Sequence, residues 1–270
     1  MIKENQVLEI KKWFDDYTAG FFTGAESVDA ALAMKVRHTK NVGLEILGLA
    51  DSVSLSTGDC FLAEICAVLH DAGRFEQYAR HHTYADAKSE DHAALGVRAI
   101  RDSGVLAALD TVDRDLVLFT VLYHNKASLP EQCDERNLFF LKLLRDADKI
   151  DILNVVTEEY SKGSDSEVIK IELPDIPCIS DKIVQNLARG KIARTEDMQT
   201  FNDFKLLQMG WVFDINFSRT FEIIQKRNYL EKILAVLPRI DAVELAASAV
   251  RRHLECNLSR NKEEIQCQIH

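Results

Sequence analysis

The chain has 270 residues, with 33 Lys+Arg against 43 Asp+Glu and a formal net charge of −10. That balance argues against the basic stripe of a general nucleic-acid binder, and no run approaches the ~18 uncharged apolar residues of a membrane span. A hydrophobic share of 47% allows a substantial core, while only 11 Gly and 4 Pro leave too little turn punctuation for many short strands, so the expected fold class is all-α.

Apolar residues three and four apart predict helices over 4–18, 26–53, 57–71, 90–103, 112–125, 135–161, 180–189, 199–213, 217–236 and 240–258. VIKIEL, at 168–173, reads as a short extended piece. The surrounding segment 162–179, with Gly163, Pro174 and Pro177, reads as a linker. The expected organisation is therefore an N-terminal helix in 1–24, a core over 25–161, and a linker with a C-terminal helical extension, packed on that core, over 162–270. The N-terminus shows neither an apolar signal core nor a cleavage site, which implies a cytoplasmic protein. Six cysteines show no CxxC spacing and are expected to be reduced thiols rather than zinc ligands. Residues 102–175 hold 16 acids and 8 bases, so the acidic excess is concentrated there.

Several titratable residues fall on apolar helix faces. His38 lies in the stripe of Ala31, Met34, Val42, Ile46 and Leu49, and FLAEICAVL delivers His70 and Asp71 just before Ala72-Gly73, read as a helix stop. Asp148 sits in the stripe of Leu141, Leu144 and Ile152, where an unpaired carboxylate would cost several kcal/mol and so needs a cation or strong donors opposite it. His124 follows Val117, Thr120 and Val121 up one face, and His92 opens the helix that continues with Leu95, Gly96 and Ala99. Taken singly, each reads as a hydrogen-bonded core residue or a helix cap. Together they form an N/O ligand set without thiolate, suited to a borderline-to-hard divalent metal, and six such groups can serve two ions sharing a carboxylate.

The first His in KVRHTKN, the HisAsp doublet in VLHDAGRF and the Asp in RDADKID resemble the ordered H…HD…D signature of the HD-domain superfamily of metal-dependent phosphohydrolases. The resemblance covers roughly 25–155 and implies an HD-type helical bundle, with 25–161 as a metal-binding catalytic core. It implies that His38, His70, Asp71 and Asp148 bind one metal, with Asp146 as the fallback for Asp148. His92 in EDHAALG and His124 in LYHNK resemble the two further histidines of dinuclear branches, with Asp71 bridging. One or two divalent ions (Fe, Mn, Mg, Co, Ni or Zn) are then the expected cofactors. The Gly-Tyr-Pro motif of the cyclic-di-guanylate phosphodiesterases is missing after His124, where the chain reads HNKASLPEQ.

The activity so implied is hydrolysis of a phosphoester or phosphoanhydride in a nucleotide or other small phosphorylated metabolite, by a metal-activated hydroxide. Asp71 is then catalytic as well as a ligand. Arg74, three residues after Asp71, is the preferred cation for phosphoryl charge, with Lys149 and Lys126 behind it; Lys149 reads equally as the partner of a neighbouring acid, and Lys126 as solvated surface. His81 and His82 read as exposed loop residues, with substrate contact as the alternative. Arg37, Lys40, Gln77 and Lys88 rank lower as substrate contacts, and Ser89 reads as the N-cap of the helix containing His92. Neither GxGxxG nor a P-loop occurs, so neither a dinucleotide cofactor nor an ATP-driven step is expected. Two other readings accompany this one: a di-iron HD-fold oxygenase, and a non-catalytic module that senses metal or nucleotide. A homodimer is a further expectation.

Overall fold

Hydrophobic periodicity becomes helix almost throughout a computed structural model that describes residues 2–162 and 173–268. The helices are α1 Glu4–Ala19, α2 Glu26–Ser52, α3 Thr57–Leu69, α4 Gly73–His81, α5 His92–Ser103, α6 Thr111–Tyr123 and α7 Glu135–Ser161. After them come α8 Asp181–Ala188, α9 Phe201–Gly210, α10 Ser218–Lys226, α11 Tyr229–Leu234 and α12 Asp241–Gln268. Among the described residues there is no strand, so the protein is all-α. All but the last residue of the expected extended piece at 168–173, and most of the expected linker, lie outside the described residues. No described helix is long and apolar enough to cross a membrane.

Several helix starts follow from local polar chemistry. The Asp59 amide donates to Ser56 Oγ before α3, Ala93 to Asp91 before α5 and Asp113 to Asp110 before α6, each satisfying an otherwise orphaned N–H. Asp91 therefore caps α5. The Ser89 hydroxyl instead donates to the Ala85 carbonyl and accepts from Gln77 Nε2.

The chain divides into two compact units, 1–151 and 152–270, with the division inside α7. In the first unit α1 and α2 pack on α3, α3 packs on α6, and α5 lies against both α4 and α6. The core of this unit includes Leu32, Val42, Ile46, Leu62, Leu69, Phe75, Val117, Val121 and Leu144, all fully buried. In the second unit α12 packs against α8, α9 and α10, and Tyr229, Ile183, Leu206, Met209, Ala246 and Val250 are among its buried residues.

Three elements differ from the sequence expectation. The Ala72-Gly73 stop interrupts the chain for only three residues, after which GRFEQYARH forms α4, a helix not predicted over this stretch. Gly73 is required there by close approach: a methyl group would collide with the His92 carbonyl and the Gly96 amide nitrogen of α5. The expected helix at 217–236 is broken by Asn228, in the left-handed conformation at φ 58°, into α10 and α11. The last helix runs to Gln268 instead of 258, because Lys, Glu and Gln continue a helix after the apolar pattern ends.

Candidate metal centre

All six residues of the ligand set meet in the first unit. His38 comes from the middle of α2, His92 is the first residue of α5, and Asp148 lies on α7. His70 and His124 hold equivalent places, each just past the last residue of α3 and α6 and still in the right-handed helical conformation. Each donates from Nδ1 to the carbonyl three residues earlier, Ala67 and Val121 respectively, at 2.7 Å. Carbonyls left over at a helix C-terminus thus fix the two rings.

The other two rings are held in the same sense by carboxylates. His38 Nδ1 is 2.6 Å from Asp151 Oδ2, and His92 Nδ1 is 2.8 Å from Asp86 Oδ2. A neutral imidazole that donates through Nδ1 carries its lone pair on Nε2. Four acceptors on Nδ1 therefore leave the four Nε2 atoms as potential ligands.

Those atoms converge on Asp71. Its Oδ2 lies 3.6 Å from both His38 Nε2 and His70 Nε2, whereas its Oδ1 lies 3.4 Å from His92 Nε2 and 3.7 Å from His124 Nε2. Asp148 Oδ1 joins the first pair, 3.1 Å from His38 Nε2 and 3.8 Å from His70 Nε2. His38, His70, His92, His124 and Asp71 are buried, and the Asp148 side chain is 18% exposed. His70 Nε2 lacks a hydrogen-bond partner, the condition expected of a ligand atom aimed at a cation, while His38 Nε2 faces Asp148 Oδ1 in the metal-free site. The Nε2 atoms of His92 and His124 lie 3.1 Å apart, where two lone pairs repel unless a cation lies near both. Buried His and Asp groups here can hold a metal ion, and Asp148, not Asp146, belongs to them.

Electrostatics separates the rings. Burial pushes the His70 and His92 pKa values down to about 4, so both are neutral at neutral pH. Burial and the Lys35 ammonium oppose protonation of His38 too, but the Asp148 and Asp151 carboxylates outweigh them and push it up to about 9 in the metal-free site. Burial raises the pKa of Asp71, yet Lys35, His70, His124 and Arg74 hold it well below the usual carboxylate range. Asp148 is likewise held low against burial, by His38 and His70.

The expected phosphate cations occupy more constrained positions. Arg74 donates from Nη1 to the Tyr84 carbonyl at 2.5 Å and to Gln77 Oε1 and Asp86 Oδ1 at 3.0 Å, with its Nε 3.5 Å from Asp71 Oδ1. These bonds make it a brace of the ligand shell. Lys126 pairs with Asp91, and Lys149 is buried, its ammonium 3.5 Å from the Arg145 carbonyl. Gln77 is fully buried and donates to Asp86, Ser89 and the Glu90 carbonyl, while Arg37, Lys40 and Lys88 are exposed. His81 and His82 are exposed; His81 is the last residue of α4, and His82 lies just past it in the left-handed conformation.

Sequence reasoning missed Lys35, Asp86 and Asp151. Lys35 and Asp151 were within reach: each lies three residues from a ligand on the same helix, Lys35 before His38 and Asp151 after Asp148. Asp86 sits in the short 3₁₀ turn Asp86–Lys88, where no periodicity marks a face. Asp86, Asp91 and His92 form a further grouping with metal-ligand spacing, but Arg74, Gln77, Asn125 and Lys126 already engage its carboxylates.

Among the described residues no cysteine belongs to the cluster. Those described (Cys60, Cys66, Cys133, Cys178 and Cys256) are free, and burial pushes the Cys66 thiol up to about 12, away from reactivity.

Comparison with protein-family profiles, with characterised proteins and with solved structures finds no match to this chain. Fold and site alone define its class: an all-α protein with a buried His/Asp cluster able to hold metal.

Proposed function

We propose that this chain is an HD-type metal-dependent phosphohydrolase acting on a nucleotide or other small phosphorylated metabolite. The observation that carries the reading is Asp71, whose two oxygens face two different pairs of histidine Nε2 atoms, as a carboxylate shared between two ions requires. His38, His70, Asp71 and Asp148 would hold one divalent ion, and Asp71, His92 and His124 a second. Bound divalent ions lower the pKa of water and neutralise phosphoryl oxygens.

The protein's own contribution is orientation and charge. Asp151, Asp86 and the carbonyls of Ala67 and Val121 keep the Nδ1 protons in place and the Nε2 lone pairs inward. Arg74 ties Asp86 to the Tyr84 carbonyl, and through Asp86 steadies His92. Arg145 donates to the His124 and Lys126 carbonyls at 2.9 and 2.6 Å, fixing the chain just after α6. Two aspartates among four histidines leave the ligand shell at −2 when the histidines are neutral, so two divalent ions would make it net positive and receptive to a phosphoryl anion.

Metal quantification of the purified protein, followed by release assays on a panel of phosphomonoesters, phosphodiesters and nucleotides with Mn²⁺, Mg²⁺, Fe²⁺, Co²⁺ and Ni²⁺, tests the reading. Activity that requires metal and disappears in His70→Ala and Asp148→Ala supports it. Protein that binds two ions yet releases no phosphate, or that consumes oxygen when loaded with iron, would sink it.

A further inference from the structure

Of the cations around the cluster, Lys35 differs in what holds it. Lys126 pairs with Asp91, the Lys149 ammonium is 3.5 Å from the Arg145 carbonyl, and Arg74, whose Nε lies 3.5 Å from Asp71 Oδ1, is held through Nη1 by Asp86 and the Tyr84 carbonyl. The Lys35 ammonium instead lies 2.9 Å from Asp71 Oδ2, the same oxygen that faces His38 and His70 at 3.6 Å. It also lies over the Tyr84 ring, 5.4 Å from its centroid, and its side chain is 14% exposed.

That contact conflicts with a divalent ion at the first site. An ammonium and a divalent cation on one buried carboxylate oxygen repel strongly where the effective dielectric is low. Lysine can resolve the conflict because its charge sits at the end of a flexible four-carbon stem. Arg74, with its guanidinium held by three acceptors, is far less free to move.

We propose that Lys35 is an exchangeable cation: it neutralises Asp71 Oδ2 in the metal-free protein, leaves that oxygen when a divalent ion binds, and then serves as the phosphate-binding cation at the site. Its first half needs only the metal centre; its second half rests on the phosphohydrolase reading. Lys35 lies one turn before His38 on α2, so its stem emerges on the side of the helix that carries that ligand. The displaced ammonium therefore stays beside His38 and Asp71, within reach of a phosphoryl anion at the metal centre.

The test titrates Mn²⁺ into the metal-stripped full chain, and then inorganic phosphate into the Mn²⁺-loaded protein, for wild type, Lys35→Met and Lys35→Arg. Lys35→Met should bind its first Mn²⁺ about tenfold more tightly, having lost the competing charge, and phosphate about tenfold more weakly. Lys35→Arg, which keeps the charge, should stay closer to wild type for both. Lys35→Gln replaces Lys35→Met if circular dichroism shows that the latter is unfolded. Unchanged or weaker Mn²⁺ affinity without the ammonium overturns the exchange, and unchanged phosphate affinity overturns the phosphate role. Wild-type protein that binds no Mn²⁺ overturns this proposal together with the metal centre. The expected binding pattern in a protein that hydrolyses no phosphoester keeps the exchange and overturns the phosphohydrolase reading alone.

Discussion

What holds Nδ1 of an imidazole decides what Nε2 can do, and in this site that control falls to residues outside the ligand set. Asp151 shows it most clearly: one of its oxygens accepts from His38 Nδ1 at 2.6 Å and the other from Asn41 at 2.9 Å. Asp151→Ala should leave the ring free to turn and to place its proton on Nε2, lowering divalent-metal affinity by roughly 10- to 100-fold, as expected for loss of such a support. Calorimetric Mn²⁺ titration of the variant against His38→Ala checks this; equal affinity in Asp151→Ala and wild type would show that Asp151 does not orient the ligand. The six prospective ligands are legible in the sequence because a histidine or aspartate on an apolar face is conspicuous. Their supports are less so. Asp151 looks like one more acid on a long charged helix, Asp86 lies in a turn, and the Ala67 and Val121 carbonyls leave no mark in the residue alphabet. Arg74 was legible as a nearby cation but not as a brace, since its partners Tyr84 and Asp86 are brought to it by the fold.

Long helices, with several repeats of apolar spacing, are the elements the sequence specifies best; short ones and breaks depend on contacts made elsewhere. Helix α4 is nine residues long and starts at a glycine, which local reasoning takes for a stop. The glycine is there because α4 and α5 cross almost backbone to backbone, with His92 opening the partner helix. Gly73→Ala should force the helices apart, lower stability by about 1–3 kcal/mol and weaken metal binding through displaced His92. Gly96→Ala should be milder, because a methyl group there meets the Gly73 nitrogen at 3.2 Å and has ordinary contact with Val121. Urea denaturation with parallel Mn²⁺ titration separates the two variants, and equal losses would mean that the crossing is not the limiting contact. In the second unit, Asn228 makes the break between α10 and α11 at φ 58° and ψ 35°. Asn228→Ala should cost about 1–2 kcal/mol, the penalty of the left-handed conformation for a residue with Cβ and no polar side chain, while Asn228→Gly should be close to neutral. Unfolding followed by Trp211 fluorescence, in a Trp13→Phe background, tests the pair.

For the whole molecule, a net charge of −10 says little about how stability varies with pH, because the decisive groups are the few whose proton affinity changes on folding. In the metal-free protein, His70 and His92 have folded pKa values of about 4, below the ordinary 6.5, so between these limits the unfolded chain binds more protons. Their contribution is present above pH 6.5 and is lost as pH falls through about 4. Asp71 and Asp148, also held low, continue that loss at lower pH. His38 acts in the opposite sense: its folded pKa of about 9 makes the folded state bind the extra proton, so its contribution is full below pH 6.5 and lost as pH rises through about 9. Metal-free protein should therefore be most stable near pH 6.5, with the acid limb the steeper because two histidines act together there. Metal changes the alkaline limb, since a His38 that coordinates through Nε2 cannot also hold a proton on it. The Mn²⁺-loaded protein should keep its stability from pH 6.5 to 9, whereas the stripped protein declines. Urea midpoints measured across that range by Trp13 fluorescence in a Trp211→Phe background, which reports on the first unit, decide the point. Parallel alkaline limbs with and without Mn²⁺ would mean that His38 keeps its proton in the loaded protein and is not a ligand.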